Sequence, residues 1–206
     1  MGYKVLKRCL DLLFAFFLII ILIPLFLIIG IVIKLNSKGT IFYSQKRIAK
    51  KNKTFACYKF RTMYPQAKYL LKKILLQNPN FRNEFENTRK ITNDPRITKI
   101  GKFLRFTSLD EIPQIFNVFK GDMSFIGPRP IVKSEIKKYG KNFEIAFSVK
   151  PWISGLWQVS GRNKLSYDKR IELDIFYSKN VDFLLDFKIF IKTFIVLIFP
   201  FDKGAF

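Results

Sequence analysis

The feature that most constrains this chain is an uncharged apolar run from Leu12 to Ile33, LLFAFFLIIILIPLFLIIGIVI, about 22 residues long. At ~1.5 Å per residue a straight helix of that length covers a hydrocarbon layer of ~30 Å. A helix that is apolar all round over this length belongs in lipid. The run is longer than the apolar stretch of a secretory signal, and no small-residue cleavage site follows it, so the segment is expected to be retained. Basic residues flank both ends: Lys4, Lys7 and Arg8 before it, and Lys34, Lys38, Lys46, Arg47, Lys50, Lys51 and Lys53 after it. The positive-inside tendency places both flanks in the cytosol. Pro24, near the middle, removes a backbone donor and crowds the preceding turn, so a kink is expected there. A re-entrant helix broken at Pro24 satisfies both observations; a kinked single span with an outside N-terminus is the alternative.

The chain has 37 Lys and Arg against 15 Asp and Glu, a formal charge of +22, which calls for anionic partners such as phosphorylated substrates, acidic lipid or nucleic acid. The richness in Lys, Ile, Asn and Phe also fits an AT-rich genome, so codon bias is the alternative source of part of that charge. Histidine is absent, which excludes Ser/His/Asp triads, imidazole acid–base catalysis and the usual zinc sites. Any metal must be a hard cation on carboxylate oxygens. Cys9 and Cys57 stand apart with no metal-type spacing and fit a reducing cytosol.

Beyond Gly39, two β-like runs, Ile41 to Ile48 and Thr54 to Phe60, flank a polar connection and read as a hairpin. Strand alternation puts Lys59 and Arg61 on one face. Between Tyr64 and Pro79, Ala67, Leu70, Leu71, Ile74 and Leu75 recur at helical spacing, forming a stripe that packs on a core or lies on anionic lipid. The segment from Phe183 to Phe201 is apolar but carries Asp186, Lys188 and Lys192, and reads as a buried or interfacial helix, with a second membrane span as the alternative.

The chemistry concentrates in RFTSLDEIPQIFNVFKGDMSFIGPRP, Arg105 to Pro130. A helix here would bury Ile112, Ile115, Phe116 and Phe119 and stop at Gly121. Pro113 is tolerated only in a first turn, so the helix is expected to begin near Leu109 to Ile112. That places Asp110 and Glu111 at a helix start, where free N–H groups favour carboxylates and phosphate. Ser108 with Glu111 also matches a capping box, a purely structural reading of the same residues. Arg105 upstream and Arg129, held between Pro128 and Pro130, shift the balance toward chemistry. Arginine forks suit phosphate oxygens, and paired carboxylates suit Mg²⁺ and a diphosphate substrate.

With these motifs in view, the chain resembles the monotopic phosphoglycosyl transferases, the bacterial sugar transferase family. The resemblance rests on the Pro24-interrupted apolar helix, KFRTM at Lys59 to Met63, NDPRITKIGKFLR at Asn93 to Arg105, TSLDEIPQ at Thr107 to Gln114, KGDMSFIGPRP at Lys120 to Pro130 and PWISGLWQVSGRN at Pro151 to Asn163. TMYPQA, GLWQVSGRN and the terminal GAF are most similar to the undecaprenyl-phosphate galactose phosphotransferase branch. Within these 206 residues there are none of the additional membrane helices or the soluble domain of larger members, and Ile23 precedes Pro24 where many relatives place a polar residue.

The resemblance implies that Asp110 is the nucleophile, Glu111 completes a dyad, and Mg²⁺ bridges the dyad and the diphosphate, with Asp110 as metal ligand. It implies phosphate contacts from Lys59, Arg105 and Arg129, with Arg61 placed beside them, and a nucleotide-sugar stretch at Trp157, Gln158, Arg162 and Asn163. The implied reaction moves a sugar 1-phosphate from a UDP-sugar to undecaprenyl phosphate and releases UMP, as the first membrane step of surface-glycan synthesis. Anionic lipids and downstream glycosyltransferases are implied partners, and nucleic acid is not. The implied location is the bacterial inner membrane with the catalytic domain cytosolic. The expected fold is α+β, mostly helical and monotopic: residues 1–36 as the re-entrant helix, residues 37–206 as a catalytic domain with a β-hairpin and interfacial helices. A nucleic-acid-binding membrane protein and an inactive scaffold are the competing classes; the apolar run and the intact Asp110–Glu111 pair argue against them.

Overall fold

The computed structural model describes residues 2–48, 50–88 and 91–198, with backbone alone at residues 51, 87, 88, 163, 197 and 198. The terminal GAF lies outside the described residues. In chain order the elements are α1 (Gly2–Asn36), β1 (Phe42–Ile48), β2 (Thr54–Phe60), α2 (Ala67–Gln77), α3 (Pro79–Thr88), α4 (Lys99–Thr107), α5 (Gln114–Lys120), β3 (Ser124–Ile126), α6 (Ile136–Tyr139), α7 (Phe143–Ala146), β4 (Trp152–Ser154), α8 (Leu156–Val159), α9 (Tyr167–Lys179) and α10 (Phe183–Ile198). The described chain is thus mostly helical, with two small two-stranded sheets, β1 with β2 and β3 with β4.

Helix α1 runs from Gly2 to Asn36 with Pro24 inside it. The helical assignment runs through Pro24, whose fixed φ is helical and whose missing donor removes one bond from the ladder. Its side chains face outward along most of its length, with Ile21 68% and Leu27 63% exposed. Among the described residues it is the one helix long and apolar enough to cross a membrane. An exposed apolar surface of this extent needs lipid or protein to cover it.

The chain divides into two compact units. Among the described residues the first comprises 2–23, 44–58 and 113–198; the second comprises Pro24–Tyr43 and Lys59–Ile112. In the second unit, Ile29 and Ile33 of α1 pack with Phe60 and Leu104, joined by Ile41, Ile100, Leu109 and Ile112. The Phe42 and Phe60 rings stack at 5.4 Å. Helix α4 comes so close to the chain after β2 that a Cβ on Gly101 would sit 2.0 Å from the Thr62 carbonyl oxygen, so only glycine allows this approach.

In the first unit, β3 and β4 pair in parallel with Ser124 opposite Trp152 and Ile126 opposite Ser154. Trp152, Tyr177 and Ile189 close one core around them. A second core gathers Ile48, Ile131, Tyr139, Phe147 and Ile171. The start of α1 is tied into this unit by two carboxylates. Asp11 accepts from the Ser124 hydroxyl and from the Phe125 N–H at 3.2 Å. Asp186 accepts from Tyr3 at 2.5 Å, from Tyr177 at 2.7 Å and from the Lys7 ammonium.

The hairpin agrees with its expected bounds to within a residue, and Lys50–Asn52 forms a short 3-10 turn in its connection. Helix α2 forms where the apolar stripe was read but buries none of its residues. Helix α10 buries Asp186 and Ile189 while Phe183, Leu184, Phe187 and Phe194 stay exposed.

Candidate active site

Helix α4 opens at Thr98, whose hydroxyl accepts from the Gly101 N–H, and closes at Ser108, which takes a left-handed conformation at φ 60°. That turn redirects the chain into a 3-10 segment, Leu109–Glu111. Ser108's carbonyl accepts from the Glu111 N–H at 3.2 Å, while its hydroxyl makes no cap. The capping-box reading is therefore not realised, since a left-handed Ser108 turns its side chain away from the third N–H. Helix α5 starts later than expected, at Gln114 behind Pro113, because the 3-10 turn takes the residues assigned to its first turn. It ends at Gly121 in a left-handed cap, as expected. Ile115 is buried, but Phe119 is 45% exposed and the other buried positions are Gln114, Asn117 and Val118. Asn117 is polar yet belongs inside: it accepts from the Tyr58 N–H at 3.0 Å and donates to the Ala56 carbonyl at 2.7 Å.

The 3-10 turn holds Asp110 buried, with Glu111 more open beside it. Lys59, at the end of β2, donates to Glu111 Oε1 at 2.6 Å and lies 3.5 Å from Asp110 Oδ2. Arg105 on α4 is fixed by its Nε–H donating to the Thr62 hydroxyl at 2.9 Å. The Thr62 carbonyl in turn accepts from the Thr98 N–H at 3.0 Å, so one residue sets both the start of α4 and the arginine it carries. Burial pushes the Asp110 carboxyl above the usual carboxylate range; Lys59 and Arg105 oppose this, and Glu111 adds to it. The second unit thus brings together Lys59, Arg105, Asp110 and Glu111.

Arg61 does not join them. Its guanidinium donates to the carbonyls of Lys38 and Ser37 at 2.6 and 2.7 Å, closing the turn that leaves α1. Strand β2 ends at Phe60, so the alternation that grouped Arg61 with Lys59 stops one residue short. Asp94 and Arg96, given no role from the sequence, form a buried bidentate pair at 2.5 to 3.0 Å.

Arg129, Trp157, Gln158, Arg162 and Asn163 belong to the first unit. Arg129 is exposed between the buried Pro128 and Pro130. Its turn needs Gly127, at φ 156°, because a Cβ there would lie 2.1 Å from Trp152 Nε1. The guanidinium of Arg129 lies 5.8 Å from the centre of the Trp157 ring, and that of Arg170 lies 4.8 Å from the same ring. Arg162 donates from Nε to the Gln158 carbonyl at 3.2 Å. The side chain of Asn163 lies outside the described residues.

Asp174 on α9 was missed from the sequence because its partners are distant in the chain. It is buried, accepts from the Tyr139 hydroxyl at 2.7 Å, and leaves Oδ1 without a hydrogen bond. Burial pushes its carboxyl up to about 7, with Tyr139 and Arg129 pulling the other way. The folded state then holds its proton at pH values where the unfolded chain has lost it. The stability this contributes is complete below pH ~4 and is lost as pH rises through about 7. Asp174→Asn keeps the acceptor for Tyr139 and cannot ionise. Its melting temperature is expected to gain on wild type by about 5 °C or more between pH 4.5 and pH 8. A gap that does not change with pH would assign Asp174 an ordinary carboxylate.

Among the described residues no three metal-type side chains gather into a cage. The donor set at the dyad is two adjacent carboxylates. This fits a Mg²⁺ completed by water and substrate phosphate, as that ion commonly binds, and does not fit a metal held by protein alone.

Residues 2–200 match the family described as Bacterial sugar transferase. The chain is 44% identical over 198 residues to an uncharacterized sugar transferase of Haemophilus influenzae, covering 96% of this chain and 42% of that protein. It is 43% identical over 190 residues to an undecaprenyl-phosphate galactose phosphotransferase of Salmonella typhimurium, covering 92% and 40%. With an exopolysaccharide production protein of Sinorhizobium fredii the identity is 42% over 187 residues, covering 91% and 83%. The chain therefore spans about two fifths of the first two relatives and most of the third. A match over nearly the whole length, together with the carboxylate pair set beside Lys59 and Arg105, leads to one conclusion: the chain belongs to the bacterial sugar transferase family.

Proposed function

We propose that this chain transfers a sugar 1-phosphate from a UDP-sugar to undecaprenyl phosphate at a membrane surface and releases UMP. The observation that carries the reading is the buried Asp110 beside Glu111, with Lys59 on both carboxylates and Arg105 fixed close behind. The Salmonella relative is named for such a transfer of galactose phosphate. A Klebsiella pneumoniae relative, 35% identical, is named for glucose 1-phosphate transfer from UDP-glucose. With no histidine in these 206 residues, the chemistry has to proceed without imidazole, and the Asp110–Glu111 carboxylates are the groups we assign to it.

In the proposed sequence an ionised Asp110 oxygen attacks the β-phosphorus of the UDP-sugar. The bond from that phosphorus to the bridging oxygen breaks, and UMP leaves with the electron pair. An oxygen of the lipid phosphate then attacks the same phosphorus, the aspartyl bond breaks, and the carboxylate returns. Lys59 and Arg105 reduce the repulsion between anions that meet here. Asp110 and Glu111 would hold Mg²⁺, which supplies charge neutralisation on the diphosphate. Arg129 carries the planar fork that suits a phosphate, and Trp157 with Gln158, Arg162 and Asn163 is assigned to the nucleotide sugar. Arg61 is assigned to the turn after α1.

A screen of UDP-sugars with undecaprenyl phosphate and Mg²⁺, following UMP, tests the reaction. Release with at least one sugar, dependent on the lipid for turnover beyond one equivalent, is expected; no release with any sugar would reject the proposal. Arg129→Lys keeps the charge but loses the fork, and turnover is expected to fall about tenfold or more, the size of one charge-assisted hydrogen bond. Unchanged turnover would assign Arg129 to structure.

The location we propose is the inner membrane, with α1 re-entrant and the catalytic residues on the cytosolic side. The basic flanks and Pro24 support this reading. Cysteines placed at Gly2 and at Lys53 in a Cys9→Ser, Cys57→Ser background should both react only from the cytosolic side. Labelling of position 2 from the periplasm would establish a spanning helix instead.

A further inference from the structure

The first turns of α1 border a cavity of about 130 Å³ in the first unit, whose polar lining includes Lys4, Lys7, Arg8, Asp11, Lys50 and Lys150. Five of these six are cationic, and the sixth is already engaged: Asp11 accepts from Ser124 and Phe125. Two of the cations are fixed. Lys7 pairs with Asp186 and lies 3.5 Å from the centre of the Trp152 ring. Arg8 donates to the Val118 and Phe119 carbonyls at 2.7 and 3.1 Å. Among the described residues no carboxylate forms an ion pair with Lys4, Lys50 or Lys150.

Arg8 and Lys150 converge on the same space. A Cβ on Gly121 would lie 3.1 Å from Arg8 Nη2 and 3.5 Å from Lys150 Nζ, so the bare glycine leaves room for both. Burial first, and then Arg8, push the Lys150 ammonium below the ordinary lysine range, as expected of a cation short of counter-charge. The cavity is flanked along the chain by exposed apolar side chains: Val5 and Leu6 next to Lys4, and Phe183 and Leu184 just beyond the lining residue Val181.

We infer that this cavity is a headgroup site for an anionic phospholipid, with the phosphate among Arg8, Lys50 and Lys150 and the acyl chains along Val5, Leu6, Phe183 and Leu184. A soluble phosphate would use the cations but leave the apolar flank uncovered; a phospholipid uses both. The site involves none of the residues assigned to sugar transfer, and stands or falls separately from that reading.

Native mass spectrometry of the purified chain in neutral detergent, titrated with dioleoyl phosphatidylglycerol, dioleoyl phosphatidylcholine or orthophosphate, tests it. Wild type should retain one phosphatidylglycerol at roughly tenfold lower concentration than phosphatidylcholine. The Lys50→Ala, Lys150→Ala double variant should need roughly tenfold more phosphatidylglycerol. A control with Lys72→Ala and Lys73→Ala on α2 should bind like wild type, and millimolar orthophosphate should not displace the lipid. Unchanged binding in the Lys50/Lys150 variant, an equal loss in the control, or displacement by orthophosphate would each overturn the assignment, the last in favour of a soluble phosphate ligand.

Discussion

Asp110→Asn is expected to abolish both UMP release and labelling of the protein by substrate carrying a marked β-phosphate, while the fold stays intact. The amide occupies the same space in the 3-10 turn and keeps an acceptor facing Lys59. Because burial disfavours the charged form of Asp110, a neutral side chain there should not destabilise the fold, and melting is expected to match or exceed wild type. What the amide lacks is a nucleophilic oxygen. A fall in turnover of about a thousandfold or more corresponds to at least ~4 kcal/mol of lost transition-state stabilisation. If the residue served only to shape the turn, the variant would be folded and active.

Lys59→Met should have the second largest effect, because Lys59 faces both carboxylates. It is the largest influence opposing the upward pressure of burial on Asp110. Without it the carboxylate needs a higher pH to ionise, and an attacking Asp110 must be ionised. The sign follows: activity is lost as pH falls through the raised pKa, and the variant loses it at higher pH than wild type. At pH 7 turnover is expected to fall about a hundredfold, or ~2.7 kcal/mol. A profile of kcat/KM against pH checks this. An acid limb that stays in place while KM alone rises would make Lys59 a substrate-phosphate contact with no influence on Asp110.

Periodicity and spacing made much of this fold legible. The hairpin, the α2 stripe, the membrane-type helix and the Gly121 stop all follow from short-range rules, and each lies where those rules put it. The errors are informative in the same terms. Ser108 followed by Glu111 satisfies the capping-box pattern, but a left-handed serine satisfies the sequence equally well and presents Asp110 from a 3-10 turn. Arg61 alternates with Lys59 on paper, yet its partners are carbonyls 23 and 24 residues upstream, which no local pattern reveals. Asp174 and the Asp11 and Asp186 ties of α1 were invisible for the same reason: their partners lie 35, 114 and 183 residues away along the chain. The grouping of Lys59, Arg105, Asp110 and Glu111 was legible mainly because the four sit in motifs long enough to be recognised.

The most direct measurement is a trapping experiment on wild-type protein. UDP-sugar labelled at the β-phosphorus, mixed with enzyme and Mg²⁺ without lipid, should place about one equivalent of label on the protein, release a matching amount of UMP, and map to the peptide containing Asp110. Adding undecaprenyl phosphate should move that label onto the lipid, and steady-state kinetics should give parallel ping-pong lines. No protein-bound label under any quench, with kinetics that require both substrates bound together, would contradict the account and leave Asp110 without a covalent role.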